Sequence, residues 1–192
     1  IYGFRGLFGR RYIASRESVG LAADASWYLY YKKKVFPENR EGIFISKFDK
    51  SKEGFSLGVG ASIATSGDNG YTFSSKVFFL LSLPEIILIQ GQAAILKTRL
   101  GLDTTSDPPF SAMVAISRDG VEAAFGVNYK LPDSGAIIQV DALVEMAFFK
   151  KNASAWYINV GRDLPENKRV QAKILSLFNM YSYLMLSSQG IR

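Results

Sequence analysis

Phe55-Ser56-Leu57-Gly58-Val59-Gly60-Ala61-Ser62-Ile63 is the stretch that decides the fold class. Large apolar residues and Ala occupy one parity, and Ser or Gly the other. Strict period-two alternation marks an extended strand whose two faces meet different surroundings. Ser66-Gly67-Asp68-Asn69-Gly70 supplies hairpin-turn chemistry, and Tyr71, Phe73 and Val77 begin the returning strand. Upstream, Asp49 to Gly54 reads as a polar hairpin loop leading back to a strand over Gly42 to Phe48.

The same pattern continues outward. Tyr2, Phe4 and Phe8 alternate with Gly3, Arg5, Leu7 and Gly9 in a first strand ending at Arg10-Arg11, and Ile13 to Tyr31 reads as two strands broken near Asp24 or as a short helix and a strand, with strands favoured. From Val77 to Leu96 both parities are apolar, which predicts strand structure covered on both sides, with Pro84 at an edge, a bulge or a strand start. Phe110 to Ile116 alternates and turns at Arg118-Asp119-Gly120. Val121, Ala123, Phe125, Val127 and Tyr129 return to a turn at Leu131 to Gly135. Ala136, Ile138, Val140, Ala142, Val144, Met146 and Phe148 then line one face of a long strand, opposite Gln139, Asp141 and Glu145.

Each of the two tryptophans begins a similar unit. Trp156-Tyr157-Ile158-Asn159-Val160-Gly161 precedes Pro165-Glu166-Asn167, and Trp27-Tyr28-Leu29-Tyr30 precedes Pro37-Glu38-Asn39. One strand-and-turn unit used twice, over about 19–48 and 148–178, fits this pattern within a single domain spanning 1–192. Trp27, Trp156, Tyr157, Pro37 and Pro165 are the expected structural core of the units. After Pro165, Val170, Ile174, Leu177, Phe178 and Tyr181 have helical spacing. Two short strands, Val170 to Phe178 and Tyr181 to Leu186 parted by Asn179, are favoured because the upstream unit leads into a strand.

The Trp156-to-Gly161 run, with Pro165, Arg169 and Tyr183-Leu184-Met185, resembles a pattern in very large, repetitive, β-rich proteins of a family of unknown function. Ser82 to Gly91 is similar to another recurrent strand there. The resemblance implies a long sheet of successive modules and assigns no catalytic residue.

Composition narrows the chemistry. The 192 residues carry a net charge of +6, 48% hydrophobic and 14% aromatic residues, and neither Cys nor His. Disulfides, thiolate metal sites, His-ligated zinc and Ser-His-Asp triads are therefore excluded. No apolar run reaches the length of a membrane helix, the longest being broken by Pro84-Glu85. The sequence starts at Ile1, which suggests a processed product or a fragment, and an extracellular or cell-envelope setting is favoured.

No candidate constellation outweighs its ordinary explanation. Asp141 and Glu145 stand about 13 Å apart along one strand, too far to flank one bond. Asp103, Thr104, Ser106 and Asp107 lack the Gly and Glu spacing of a calcium loop. Gly58 and Gly60 do not complete a dinucleotide fingerprint. Trp27, Tyr28, Tyr30 and Tyr31 beside Lys32 to Lys34 have the chemistry of a nucleic-acid surface, but alternation divides the aromatics between faces. Asn152-Ala153-Ser154 fits a glycosylation sequon, a pattern common by chance.

The apolar face remains: Phe55, Leu57, Val59, Phe125, Val127, Ile138, Val140, Val144 and Phe148. A second sheet, a symmetry mate, lipid chains or a bilayer must cover it. The expectation is an all-β antiparallel meander forming a sandwich, a flattened barrel or a section of a long curved sheet. It would have no catalytic, cofactor or metal site. The leading function is a non-enzymatic structural module that self-associates through sheet edges into a tube, fibre or sheath. Its partners would be further copies or neighbouring β modules, with nucleic acid not expected. A lipid-binding groove or conduit is the alternative. An outer-membrane β-barrel comes third, opposed by the basic charge, by Asp141 and Glu145 among the strands, and by a C-terminus lacking an aromatic.

Overall fold

The computed structural model describes residues 1–14, 48–84, 86–101, 108–150, 155–175 and 177–192. They build one antiparallel sheet that does not close on itself. Seven strands form a plain meander: β1 (Gly3–Ala14), β2 (Phe48–Ala64), β3 (Phe73–Leu83), β4 (Ile86–Ile95), β5 (Phe110–Ser117), β6 (Gly120–Leu131) and β7 (Ile138–Phe149). β8 (Trp156–Val160), β9 (Val170–Ile174), β10 (Phe178–Ser182), β11 (Leu184–Ser187) and β12 (Gly190–Ile191) complete it. The last segment is thus extended, not helical. A single 3-10 turn, Glu166–Lys168, interrupts it without a side-chain cap.

β8 and β9 both pair with β7, β8 along Val144 to Phe148 and β9 along Ile138 to Asp141. They are one strand track broken by Gly161 to Arg169. β10 and β11 form the next track, pairing with β9 and β8 respectively. Twelve strands therefore occupy ten tracks. The turns at Pro84 and Arg118-Asp119 lie at one rim, called lower, and those at 65–72 and 132–137 at the other, called upper.

Three expectations are corrected. Asp49 to Gly54 is no hairpin loop, because Phe48 to Ala64 is one strand. The backbone of β1 offers partners to Phe48, Asp49 and Lys50, and a register shift between Arg10 and Tyr12 absorbs the extra residues. Ladder pairing there overrides a loop-like composition. The C-terminal strands part at Leu175–Leu177, and Asn179 lies inside β10. Val77 to Leu96 is not covered on both sides. Phe78, Leu80, Ile86 and Leu88 are buried, but Val77, Phe79, Leu83, Ile89 and Ile95 are exposed. The unit proposed over 19–48, with Trp27 and Pro37, lies largely outside the described residues.

Buried apolar residues gather on one side of the sheet, the inner face. Leu7, Phe78, Leu80, Ile86, Leu88 and Ala115 lie there, and Leu100 joins them from the segment after β4. Gly58 makes the packing possible. A Cβ at this position would stand 2.8 Å from the Phe78 ring and 3.0 Å from Leu7 Cβ. Gly6 has open space around it. Gly58→Val is expected to destabilise the sheet by about 1–3 kcal/mol through overpacking, whereas Gly6→Ala leaves it nearly unchanged. Denaturant unfolding of both variants measures the difference.

Candidate functional site

Directly opposed residues of an antiparallel ladder share a face, so the register sorts every strand residue. The outer face runs without interruption from Phe4 and Phe8 through Leu57, Phe79, Ile89, Val114, Phe125, Val144 and Ile158 to Leu184 and Ile191. Among outward positions with a register partner and a described side chain, Arg10, Ser75 and Ser182 alone are neither apolar nor glycine. The apolar residues singled out from sequence, Phe55, Leu57, Val59, Phe125, Val127, Ile138, Val140, Val144 and Phe148, all lie on this face. Leu57, Val59, Phe125, Ile138 and Phe148 are exposed.

Charge follows the opposite rule. Arg5, Lys76, Glu122, Lys130, Asp141, Glu145 and Lys173 all point inward. Asp141 lies across from Asn128 and Gln171, and Glu145 from Ala124 and Asn159. Neither carboxylate meets the other in a catalytic pair. Arg162 instead clamps Glu145 from above the inner face, with Nε at 3.0 Å and Nη2 at 2.6 Å from Oε2. Arg169 donates to Asp163 Oδ1 at 3.0 Å and stacks 5.6 Å over the inward ring of Tyr183. The Gly161-to-Arg169 excursion therefore folds over the inner side.

Polar burial is concentrated there as well. Ser56, Ser62, Ser74, Lys76, Ser82 and Gln90 are buried. Ser56 and Ser82 hydroxyls lie 2.8 Å apart. The segment after β4 dips inward to meet these groups. Leu100 N–H donates to Ser74 Oγ at 3.1 Å, Tyr2 Oη donates to the Leu100 carbonyl at 2.8 Å, and Lys76 Nζ donates to the Gly101 carbonyl. Sequence reading missed these residues as a group. Their signal was present: they share the parity opposite the apolar one.

Outward aromatic residues collect near the rims. Phe8 and Phe55 meet edge-on at 5.7 Å near the lower rim, where Trp156 stacks on Phe148 at 6.5 Å. Phe110 and Tyr129 pair at 5.5 Å near the upper rim, where Phe73 and Phe178 also lie. Phe79 and Phe125 sit between. Trp156 and Tyr157 are half-buried on opposite faces and Pro165 is exposed, so the deepest packing lies elsewhere. Ten residue steps separate Phe73 from Leu83 and Ile138 from Phe148, roughly 33 Å along the strand.

Among the described residues no cluster of three or more acidic groups can hold a metal. Asp103 to Asp107, Lys32 to Lys34 and Asn152 fall outside them. Gly58 and Gly60 face inward within a strand. Asp68 organises the β2–β3 turn: its carboxylate accepts from Gly70 N–H at 3.0 Å, Thr72 N–H at 2.6 Å and the Thr65 hydroxyl. These donors, the Thr65 hydroxyl foremost, hold its pKa well below the ordinary 3.8. No family model, curated protein or solved structure matches this chain.

A depressed folded-state pKa means that the turn's carboxylate contribution is full above the ordinary value and is lost as pH falls through the folded one. Exchange of the Gly70 and Thr72 amides is therefore expected to accelerate, relative to other turn amides, below pH about 4. Asp68→Asn is expected to remove that acid dependence, measured by amide exchange across a pH series.

Proposed function

We propose that the chain is the lipid-facing wall of a membrane β-barrel, with its outer face in the acyl chains and its inner face lining the interior. The observation that carries this reading is the partition of charge. Among strand residues with a register partner and a described side chain, seven charged ones point inward and Arg10 alone points outward, near the lower rim beside Phe55. A sheet packed in water has the reverse order, with apolar side chains buried and charges outside. Membrane barrels show apolar-out and polar-in alternation, an apolar band about 25 Å tall and aromatic girdles at both rims. Ten-residue strand spans are long enough to cross such a band at the tilt of membrane strands, and ring pairs lie near each rim. Asp141 and Glu145, which opposed this reading in the sequence, face inward.

A lipid-binding groove would need a concave apolar surface. A concavity of about 420 Å³ lies on the inner side, with Asn159, Ser187, Gln189 and Arg192 in its lining. The edge-associating structural module keeps one favourable observation, the sides of β1 and β10 that have no partner among the described residues. In a bilayer those sides also need partners.

Two measurements test the proposal. Trp27→Phe leaves Trp156 as the single tryptophan. In liposomes its fluorescence is expected to be quenched more by lipids brominated near the headgroup than by lipids brominated near the chain end. No quenching by either would sink the proposal. Val144→Arg, outward at mid-height, is expected to cost about 2–4 kcal/mol of stability in liposomes. Ala124→Arg, inward across from Glu145, is expected to cost far less. Equal losses at both positions would count against a lipid-facing wall.

A further inference from the structure

The inner face divides into two parts. Along β2 and β3 its polar groups are buried and bonded, Ser56 with Ser82, Ser74 with Leu100 and Lys76 with Gly101. Along β6, β7 and β9, toward the upper rim, it is open. The register sets two polar rows side by side there. The row nearer the rim holds Lys130, Gln139 and Lys173, and the next holds Asn128, Asp141 and Gln171. Lys130, Lys173 and Asn128 are exposed and the other three are half-buried. Among the described residues, none of the six side chains is held by a hydrogen bond or an ion pair. Next to them on β10, across from Gln171, Tyr181 presents an inward ring that is 62% exposed.

The spacing suits one small solute. β6 and β9 flank β7, so the Lys130 and Lys173 backbones stand about 10 Å apart, and their flexible stems let both ammoniums meet over Gln139. The second row lies about 7 Å farther from the rim. Asp141 is flanked there by two carboxamides. A carboxamide donates and accepts at once and a carboxylate accepts, which matches hydroxyl groups that do both. The exposed tyrosine ring offers a flat apolar face to the C–H side of a sugar ring, with a polar tip beside it. Two ammoniums against one carboxylate favour a ligand that carries negative charge. Neighbouring carboxylates do not compete, since Glu145 is held by Arg162 and Asp133 by Lys97.

We propose that this patch is a binding site for an acidic monosaccharide. Lys130 and Lys173 take its anionic group, Asn128, Asp141 and Gln171 its hydroxyls, and Tyr181 one face of its ring. The site follows from the ladder register and from side-chain chemistry on the inner face. It does not depend on what the outer face meets, so it goes beyond the membrane reading without resting on it.

The full chain in detergent micelles is titrated calorimetrically with glucuronate, glucose-6-phosphate, glucose and inorganic phosphate. At least one acidic sugar is expected to bind about tenfold more tightly than glucose and than inorganic phosphate, and the better of the two identifies the anion. Lys130→Gln with Lys173→Gln is expected to abolish the preference over glucose. Tyr181→Leu is expected to weaken the acidic sugars about tenfold and leave inorganic phosphate unchanged. The chain has no cysteine, so a single thiol gives a second readout that spares every residue of the site. Asn179→Cys lies inward across from Lys173, and its modification by a charged thiol reagent is expected to slow about tenfold when the sugar is at about ten times its Kd. Ala124→Cys, inward and two rows deeper, is expected to react at an unchanged rate. No saturable binding, inorganic phosphate binding as tightly as either acidic sugar, or equal protection at both thiols would overturn the site. None of these outcomes touches the lipid quenching of Trp156, so the membrane reading stands or falls separately.

Discussion

The register of the ladder is the constraint on which the molecule depends. Because side chains alternate across a pleated strand, a slip of one residue moves every side chain to the other face. A slip at β3 would carry Lys76 outward, and a slip at β6 or β7 would carry Glu122, Lys130, Asp141 and Glu145 with it. Several local features hold the pairs in place. Phe78 reaches over Gly58, where no larger residue fits. Asp68 gathers the amides of its turn. Phe8 with Phe55 and Phe148 with Trp156 pack across adjacent strands. Each contributes modestly, and the hydrogen-bonded ladders make them act together.

The Trp156 unit shows how an interruption is tolerated without losing the faces. β8 ends at Val160 and β9 begins at Val170, yet both remain on the same side of β7. The outward residues before the break are Trp156, Ile158 and Val160. After it they are Val170, Ala172 and Ile174, so parity is preserved. Gly161 leaves the sheet with φ +67°, where a Cβ would stand 2.8 Å from the Val170 nitrogen. The excursion then spends its charges on the inner side, Arg162 on Glu145 and Arg169 on Asp163 and Tyr183. A Trp-aliphatic strand followed by Gly and a Pro-containing turn is therefore one detour within a single track.

The apolar stripes from Phe55 to Ile63, Val121 to Tyr129 and Ile138 to Phe148 were legible because period two is a local property, visible before any partner strand is known. The turns at Asp68 to Gly70 and Arg118-Asp119 were legible for a similar reason, since their residues suit tight backbone geometry. Asp49 to Gly54 was misread because its extended state depends on β1, a partner distant in the chain. The break at Leu175 to Leu177 lies amid apolar residues, with Ser176 alone to announce it. Arg162 could not be matched to Glu145 until β7 and β8 were placed side by side.

The sequence by itself determined that this chain is extended, that it turns often, and that its residues divide into an apolar and a polar parity. Local sterics and hairpin chemistry suffice for that. Tertiary structure decided which parity is enclosed. An alternating strand reads the same whether its apolar side is packed in a core or turned outward, and the choice emerges only when the strands are paired and Ser56, Ser74, Lys76 and Ser82 are buried on one face. Here the face that holds the buried residues also holds the charges and the other face is apolar, because the ladder keeps each strand's faces in step across the sheet.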